Sequence, residues 1–344
     1  MAYNLSNLVL DHLKGLSPYS SARDEFSERA EIYLDANENP FSPYGRYPDP
    51  SHLELRKSLS ALRKVSTENI LIGNGSDELI DLLLRLVVRP GRDKVLYFTP
   101  TYGMYRVSAE IAGAKTLEMP LSVDFNLPLG PTLERILKDP DLKVVFLCSP
   151  NNPTGNTLPK EEVRQILSST SALVVVDEAY ADFAKESSLD LLETYENLVV
   201  LQTFSKAFGL AAARLGMAYA SKELIAYLRR IKPPYNVSTF SQSLALERLK
   251  SYETVTEQIQ KIIKERQRLE KALAKLPSVL HVYPSEANFL LVEFSESKEV
   301  FQYLLSRSIV VRDRSKEVPR ALRITVGTPK ENNQLLSALK KYNA

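Results

Sequence analysis

A lysine standing just past a buried strand is the first residue here with chemical potential. The apolar run Leu198 to Leu201 gives way to Thr203-Phe-Ser205-Lys206-Ala-Phe-Gly209, and Arg214 follows. Beside Phe204, Ala207 and Phe208 the Lys206 amine is partly desolvated, which lowers its pKa and makes it a candidate nucleophile for a Schiff base. Ser205 and Arg214 are groups suited to a phosphate close to that amine. Taken alone, a lysine at a strand–helix junction is ordinarily a surface residue.

Four further clusters change the balance. Asp177 ends the apolar run Leu173 to Val176, where a carboxylate is costly unless it meets a cation or a donor. A protonated pyridine nitrogen is such a partner. Gly73-Asn-Gly75-Ser76-Asp77-Glu78 opens a helix with small residues, and its free N–H groups favour an anion. Asp77 and Glu78 would repel that anion, so both are expected to point away, leaving Ser76 and backbone amides to bind. Asn152 sits in the turn-rich Ser149-Pro-Asn-Asn-Pro-Thr-Gly155, while Tyr102 and Tyr180 close two other strands. Each has a bland alternative: a turn residue for Asn152, packing for the tyrosines, a capped helix for the glycine turn. As a set they fit pyridoxal phosphate. Lys206 serves the Schiff base, Asp177 the ring nitrogen, Asn152 with Tyr180 the ring oxygen, Tyr102 the ring face, and Ser76, Ser205 and Arg214 the phosphate.

The elements that position these residues alternate between strand and helix. Strands are expected at 69–72, 94–98, 144–148, 172–176 and 198–201, with a further one at 217–220, and helices between them. Near-continuous Val, Leu and Ile runs of this kind predict a largely parallel sheet covered on both faces. Each polar cluster falls at the carboxyl end of a strand, where open α/β sheets bind ligands. The composition shifts at Lys232-Pro-Pro-Tyr235-Asn-Val-Ser238. A long helical region over 240–275, interrupted near Tyr252, and strands at 279–283, 288–293, 309–312 and 322–325 then predict a separate α+β unit. The expected division is an N-terminal arm with part of the small domain (1–40), a large ligand-binding domain (41–235) and a small C-terminal domain (236–344).

The 344 residues carry a net charge of +2 with acids and bases interspersed, so nothing argues for nucleic acid or a charged membrane surface as partner. Histidines at 12, 52 and 281 are too scattered for a His-based metal site or a Ser-His-Asp triad, so no metal is expected. Cys148 is the single cysteine, compatible with a reducing compartment, and no targeting signal or membrane-length apolar run is seen. A cytoplasmic protein is the expectation.

The chain resembles the fold type I pyridoxal-phosphate aminotransferases over nearly its whole length, and within them most resembles the histidinol-phosphate aminotransferase group. The resemblance is carried by Ser-Pro-Asn-Asn-Pro-Thr-Gly (149–155), Val-Asp-Glu-Ala-Tyr (176–180), Thr-Phe-Ser-Lys-Ala-Phe-Gly-Leu (203–210) and Leu-Arg-Ile-Thr-Val-Gly-Thr (322–328). More particular to that group are Leu-Asp-Ala-Asn-Glu-Asn-Pro (34–40), Arg-Tyr-Pro-Asp-Pro (46–50), Gly-Asn-Gly-Ser-Asp-Glu (73–78) and Lys-Pro-Pro-Tyr-Asn-Val (232–237). The resemblance implies a large domain with a mostly parallel central sheet and a smaller α+β domain. It implies Lys206 as the Schiff-base lysine and Asp177 on the pyridinium proton, with Asn152 and Tyr180 on the ring oxygen and Tyr102 stacked on the ring. Gly75, Ser76, Asp77 through its backbone, Ser205 and Arg214 would hold the phosphate, and Tyr47 would reach a partner subunit's site in a homodimer. Arg323 would anchor the substrate, with Tyr19 and Arg312 as further phosphate contacts. The alanines at 211–213 depart from a segment where family members often carry a glycine. The implied reaction is transfer of the amino group from L-histidinol phosphate to 2-oxoglutarate. Threonine-phosphate decarboxylation, aromatic amino-acid transamination and a non-catalytic cofactor-binding role stand as alternatives.

Overall fold

The structure, a computed structural model, describes residues 3–17 and 32–343. In chain order its first elements are α1 (Asp11–Lys14), α2 (Leu53–Arg63), β1 (Ile70–Gly73), α3 (Ser76–Val87), β2 (Lys94–Thr99), α4 (Met104–Ile111) and β3 (Lys115–Pro120). Then come α5 (Leu129–Lys138), β4 (Leu142–Cys148), α6 (Lys160–Ser169), β5 (Leu173–Asp177), β6 (Leu198–Thr203), β7 (Gly216–Ala220) and α7 (Lys222–Ile231). The remainder is α8 (Thr239–Lys250), α9 (Tyr252–Leu273), β8 (Val279–Val282), β9 (Phe289–Phe294), α10 (Ser297–Ser306), β10 (Arg312–Asp313), β11 (Ala321–Thr325) and α11 (Pro329–Tyr342).

Seven strands form one sheet in the order β1-β7-β6-β5-β4-β2-β3, parallel throughout except that β7 runs antiparallel to both of its neighbours. The central strands are dominated by Val and Leu because both faces are covered. Val174 and Val176 enter one hydrophobic cluster while Leu173 and Val175 enter the other, as the two-residue period of a strand requires. Burying each such side chain contributes about 1.5–3 kcal/mol. The edge strand β3 is different: Lys115-Thr-Leu-Glu-Met-Pro120 is only partly buried, so its sequence carries no continuous apolar run. It was absent from the sequence expectation for that reason.

The second sheet, β10-β11-β9-β8, is antiparallel and packs against α9, α10 and α11 through its own core of Leu290, Val292, Phe294, Leu322 and Ile324. The long helical region does break, at Ser251, which ends α8 and precedes Tyr252. Packing crosses the lines drawn from composition. Ala245 of α8 and Val255 and Ile259 of α9 join the core of the larger sheet. Residues 1–40 were expected to belong in part to the smaller unit. Within the described part of that stretch, Leu5, Leu8 and Val9 pack on the larger sheet's helical layer, and the Leu10 N–H donates to the Leu86 carbonyl at 3.0 Å.

Register brings the polar clusters to one edge. Asp177 lies beside Cys148 of β4 and Leu201 of β6, and Gly216 lies between Thr203 of β6 and Gly73 of β1.

Candidate active site

A cavity of about 430 Å³ opens at this edge, a volume typical of small-ligand sites. Its walls include Ser76, Asp77, Tyr102, Asn152, Asp177, Tyr180, Ser205, Lys206, Arg214, Arg312 and Arg323, the residues singled out from sequence. Three of the singled-out residues are not among them. Gly75 lies directly behind Ser76, Tyr47 lies elsewhere on the surface, and Tyr19 is outside the described residues.

Asp177 sits at the base, 3% exposed, with its carboxyl pKa pushed up by burial. Two hydrogen bonds oppose that shift: the Tyr105 hydroxyl donates to Oδ2 at 2.7 Å and the Ala179 N–H to Oδ1 at 3.0 Å. Tyr105 is held by stacking on Phe146, with ring centroids 4.7 Å apart, and by the edge of Tyr102. Sequence reasoning missed Tyr105. The available signal was its spacing, three residues after Tyr102: one turn at the start of α4, with the Tyr105 N–H donating to the Tyr102 carbonyl at 3.3 Å, brings the two rings together.

The Lys206 amine lies over the Tyr180 ring, 5.4 Å from its centroid. Burial holds its pKa below the usual lysine range, and the Arg323 charge adds to the depression while Asp177 counters it. Tyr180 is buried and edge-on to Phe289.

One corner of the cavity is made mostly of backbone. Gly75 takes φ +80° ahead of α3, and a Cβ there would stand 2.8 Å from Arg214 Nη2. A Cβ on Gly216 would stand 2.4 Å from the Ser76 nitrogen, closer than any real carbon approaches. Arg214 also has positive φ, at +51°, and Nη1 donates to the Ala211 carbonyl at 3.3 Å. Thr203 Oγ1 donates to the Leu215 carbonyl at 3.0 Å and accepts the Ser205 N–H at 3.1 Å, fixing the turn that presents Ser205.

The expectation that Asp77 and Glu78 both turn away holds for Glu78 only. Its carboxylate accepts the Asn74 N–H at 2.5 Å and the Asn236 amide at 2.6 Å. Asp77 instead faces the cavity, accepting the Tyr102 hydroxyl at 3.0 Å and standing 3.6 Å from Arg214 Nη2. The guanidinium and hydroxyl reward that orientation, which a reading based on the helix dipole alone overlooks.

The opposite chemistry comes from the smaller sheet. Arg323 on β11 lies directly across from Arg312 on β10, and its Nη1 donates to Asn152 Oδ1. Burial holds the Arg323 pKa below its ordinary value. Arg314, not anticipated from sequence, lines the same cavity.

Tyr47 is not drawn into this cavity. It is 50% exposed and stacks on Tyr235 with ring centroids 4.5 Å apart. It borders a neighbouring surface hollow of about 400 Å³ that also touches Arg214.

Comparison with known proteins agrees with this arrangement. The aminotransferase class I and II profile matches residues 4–339. A histidinol-phosphate aminotransferase from Cytophaga hutchinsonii is 47% identical over 350 aligned residues, covering 99% of this chain and 100% of that one. Its counterpart from Parabacteroides distasonis is also 47% identical, covering 98% of both chains. Among solved structures, histidinol-phosphate aminotransferase from Sinorhizobium meliloti in complex with pyridoxal-5′-phosphate superposes with a TM-score of 0.80 at 26% identity, covering 89% of each chain. The chain belongs to the aminotransferase class I and II family.

Proposed function

We propose that this chain is a pyridoxal-phosphate-dependent histidinol-phosphate aminotransferase, moving the amino group of L-histidinol phosphate to 2-oxoglutarate to give 3-(imidazol-4-yl)-2-oxopropyl phosphate and L-glutamate. The observation that carries this reading is one cavity holding a desolvated lysine, a buried carboxylate and two distinct cationic corners. One corner suits a phosphate that stays, the other the anionic group of a substrate that exchanges.

The residues fit the cofactor. Asp177 is costly to bury as a bare carboxylate, and a protonated ring nitrogen is the partner that would offset the cost. The turn at Gly75 and Ser76 and the close approach of Gly216 leave backbone amides at a helix N-terminus, with Arg214 and Ser205 beside them, for a phosphate. When bound, pyridoxal phosphate supplies an aldehyde that condenses with amines and a ring that delocalises the electron pair released at the substrate Cα.

The chain's own residues supply the rest. The depressed pKa of Lys206 increases its neutral fraction, so Nζ can condense with a carbonyl group with loss of water and, once the incoming amine displaces it, accept the proton leaving the substrate Cα. Asp177 would hold the proton on the ring nitrogen, and the Tyr105 hydroxyl keeps Asp177 aimed. Asn152 and Tyr180, which line the cavity, would donate to the ring oxygen, and Tyr102 would cover the ring face. Arg323 is the substrate anchor, because a guanidinium fork accepts the carboxylate of glutamate and the phosphate of the other amine. Arg312 supports the phosphate. Tyr47 belongs to a homodimer in which it reaches the partner's site. Phe41 is exposed as well, and so are Tyr44 and Phe240, which pack on each other with ring centroids 5.1 Å apart; such apolar exposure supports an interface. Among the described residues no helix is long and apolar enough to cross a membrane, which is compatible with a cytoplasmic enzyme.

Turnover of histidinol phosphate, threonine phosphate and phenylalanine, each with 2-oxoglutarate, tests the reading. Histidinol phosphate is expected to react fastest, and Lys206→Ala to abolish turnover with every donor. Carbon dioxide release from threonine phosphate, or a preference for phenylalanine, would overturn the assignment.

A further inference from the structure

The short ribbon of β10 and β11 concentrates positive charge in a way that one substrate anchor does not require. Arg312 and Arg323 are direct cross-strand neighbours. Like charges so placed destabilise a sheet. The ladder continues one step further, with the Arg314 N–H donating to the Ala321 carbonyl at 3.0 Å. The strand period therefore returns Arg314 to the face that carries Arg312, diagonal to Arg323 and opposite the small Ala321. All three guanidinium groups line the cavity.

Their partners are few. Arg323 meets the neutral Asn152 side chain, and among the described residues Arg312 has no ion pair. Arg314 Nη1 donates to Glu317 Oε1 at 3.1 Å, and Glu317 is a half-exposed carboxylate that does not line the cavity. The Arg314 side chain is only 15% exposed, yet its Nε is buried with no hydrogen-bond partner, and so is the Nε of Arg323. An arginine kept only to pair with a neighbour three residues on would leave no buried donor unsatisfied, because that costs more than an exposed pair returns. The arrangement is three cations offset by one carboxylate at the rim, with two unsatisfied Nε donors buried behind the groups that line the cavity.

We infer that Arg314 is a specificity-determining residue, supplying the extra charge and donors that a phosphate monoester uses and a carboxylate does not. This rests on the proposed exchange of a phosphate-bearing amine with glutamate. A carboxylate has one charge and two oxygens, and a single guanidinium fork saturates it. A phosphate monoester carries about −1.5 to −2 at neutral pH and has three terminal oxygens. Arg323 alone therefore serves glutamate, whereas the phosphate engages Arg323 together with Arg312 and Arg314. Glu317 competes with the phosphate for Arg314.

The test compares the two half-reactions of the holoenzyme in Arg314→Gln, Arg314→Lys and Glu317→Gln, with inorganic phosphate as an inhibitor of the glutamate half-reaction. Arg314→Gln is expected to raise KM for histidinol phosphate about tenfold or more and to raise the inhibition constant of inorganic phosphate in parallel, with KM for glutamate within about threefold of the parent. Arg314→Lys keeps the charge without the fork and falls between. Glu317→Gln, which removes the competitor and leaves all three cations in place, lowers both phosphate constants. If the two amine donors lose affinity equally in Arg314→Gln, or neither does, the inference is wrong. An inert histidinol phosphate combined with the expected shifts for inorganic phosphate would reject the substrate assignment and leave the role of Arg314 standing. Unchanged phosphate constants in Glu317→Gln and Arg314→Lys would overturn that role even if Arg314→Gln failed to fold.

Discussion

The cavity has two corners for anions, and they are built from different materials. The corner at Gly75, Ser76, Ser205 and Arg214 is a crossing of backbone segments, with Gly216 packed so closely that a single methyl group has no room. The corner at Arg312, Arg314 and Arg323 is three long side chains carried on the β10–β11 ribbon. Fixed amides at a helix start need no reorganisation to meet an anion, which suits a group that stays bound through every cycle. Long cationic side chains can re-aim, which suits a site that must accept a carboxylate in one half-reaction and a phosphate in the other. Permanence is associated with backbone here, and exchange with side chains.

The sharpest way to break that comparison is to remove one anchor from each corner. Arg323→Ala is expected to lower kcat/KM for both amine donors by about a hundredfold or more while the cofactor remains bound. Loss of cofactor from that variant, seen by absorbance after dialysis, would show the corners to be one site. Gly216→Ala attacks the rigid corner. The added carbon collides with the Ser76 nitrogen, and a stability loss of about 1–3 kcal/mol with weakened cofactor retention is expected by denaturant titration. An undisturbed variant would mean the backbone there is softer than its geometry implies.

A third variant probes what lies between the corners. The folded protein favours the protonated form of Asp177, because burial raises its pKa. Its contribution to stability is therefore complete below the ordinary value of 3.8 and is lost as pH rises through the higher folded value. Asp177→Asn removes that loss. In the cofactor-stripped protein the variant is expected to melt at the same temperature as the parent or higher at neutral pH, and to show a flatter pH dependence above 3.8. A lower melting temperature at pH 7 would count against it. The smallest expected effect is ionic. Arg312 is exposed, so raising the salt concentration from about 0.05 to 0.5 M should raise KM for the phosphate substrate a few-fold and change cofactor retention less.

The sequence made the backbone corner more legible than the arginine ribbon. Strands such as Leu173–Asp177 are apolar on both faces, so their ends stand out as abrupt changes to Asp, Ser, Gly and Lys. Those ends are where the sheet gathers its ligand groups. Arg314 has no such marker, because an arginine near Asp313 and Glu317 reads as one more charged surface residue until the pairing of β10 with β11 turns it inward. Tyr105 was hidden for a related reason: its contact with Asp177 spans from α4 to β5, and no local pattern encodes it. Asp77 was read from the helix start alone, and its orientation is decided by Tyr102 and Arg214, which are distant in sequence.

The ladder that sets Gly216 between Gly73 and Thr203 has a consequence for how the protein matures. Among the described residues β1 is an edge strand paired with β7 alone, and most of the large sheet is synthesised between them. The corner at Gly73 and Gly216 therefore closes only when the longest loop in that sheet has been closed against chain entropy, a contact formed late in folding. A cofactor that recognises this corner binds the finished sheet and not its precursors. It then stabilises the native state by mass action and acts as a molecular inspector of completed folding.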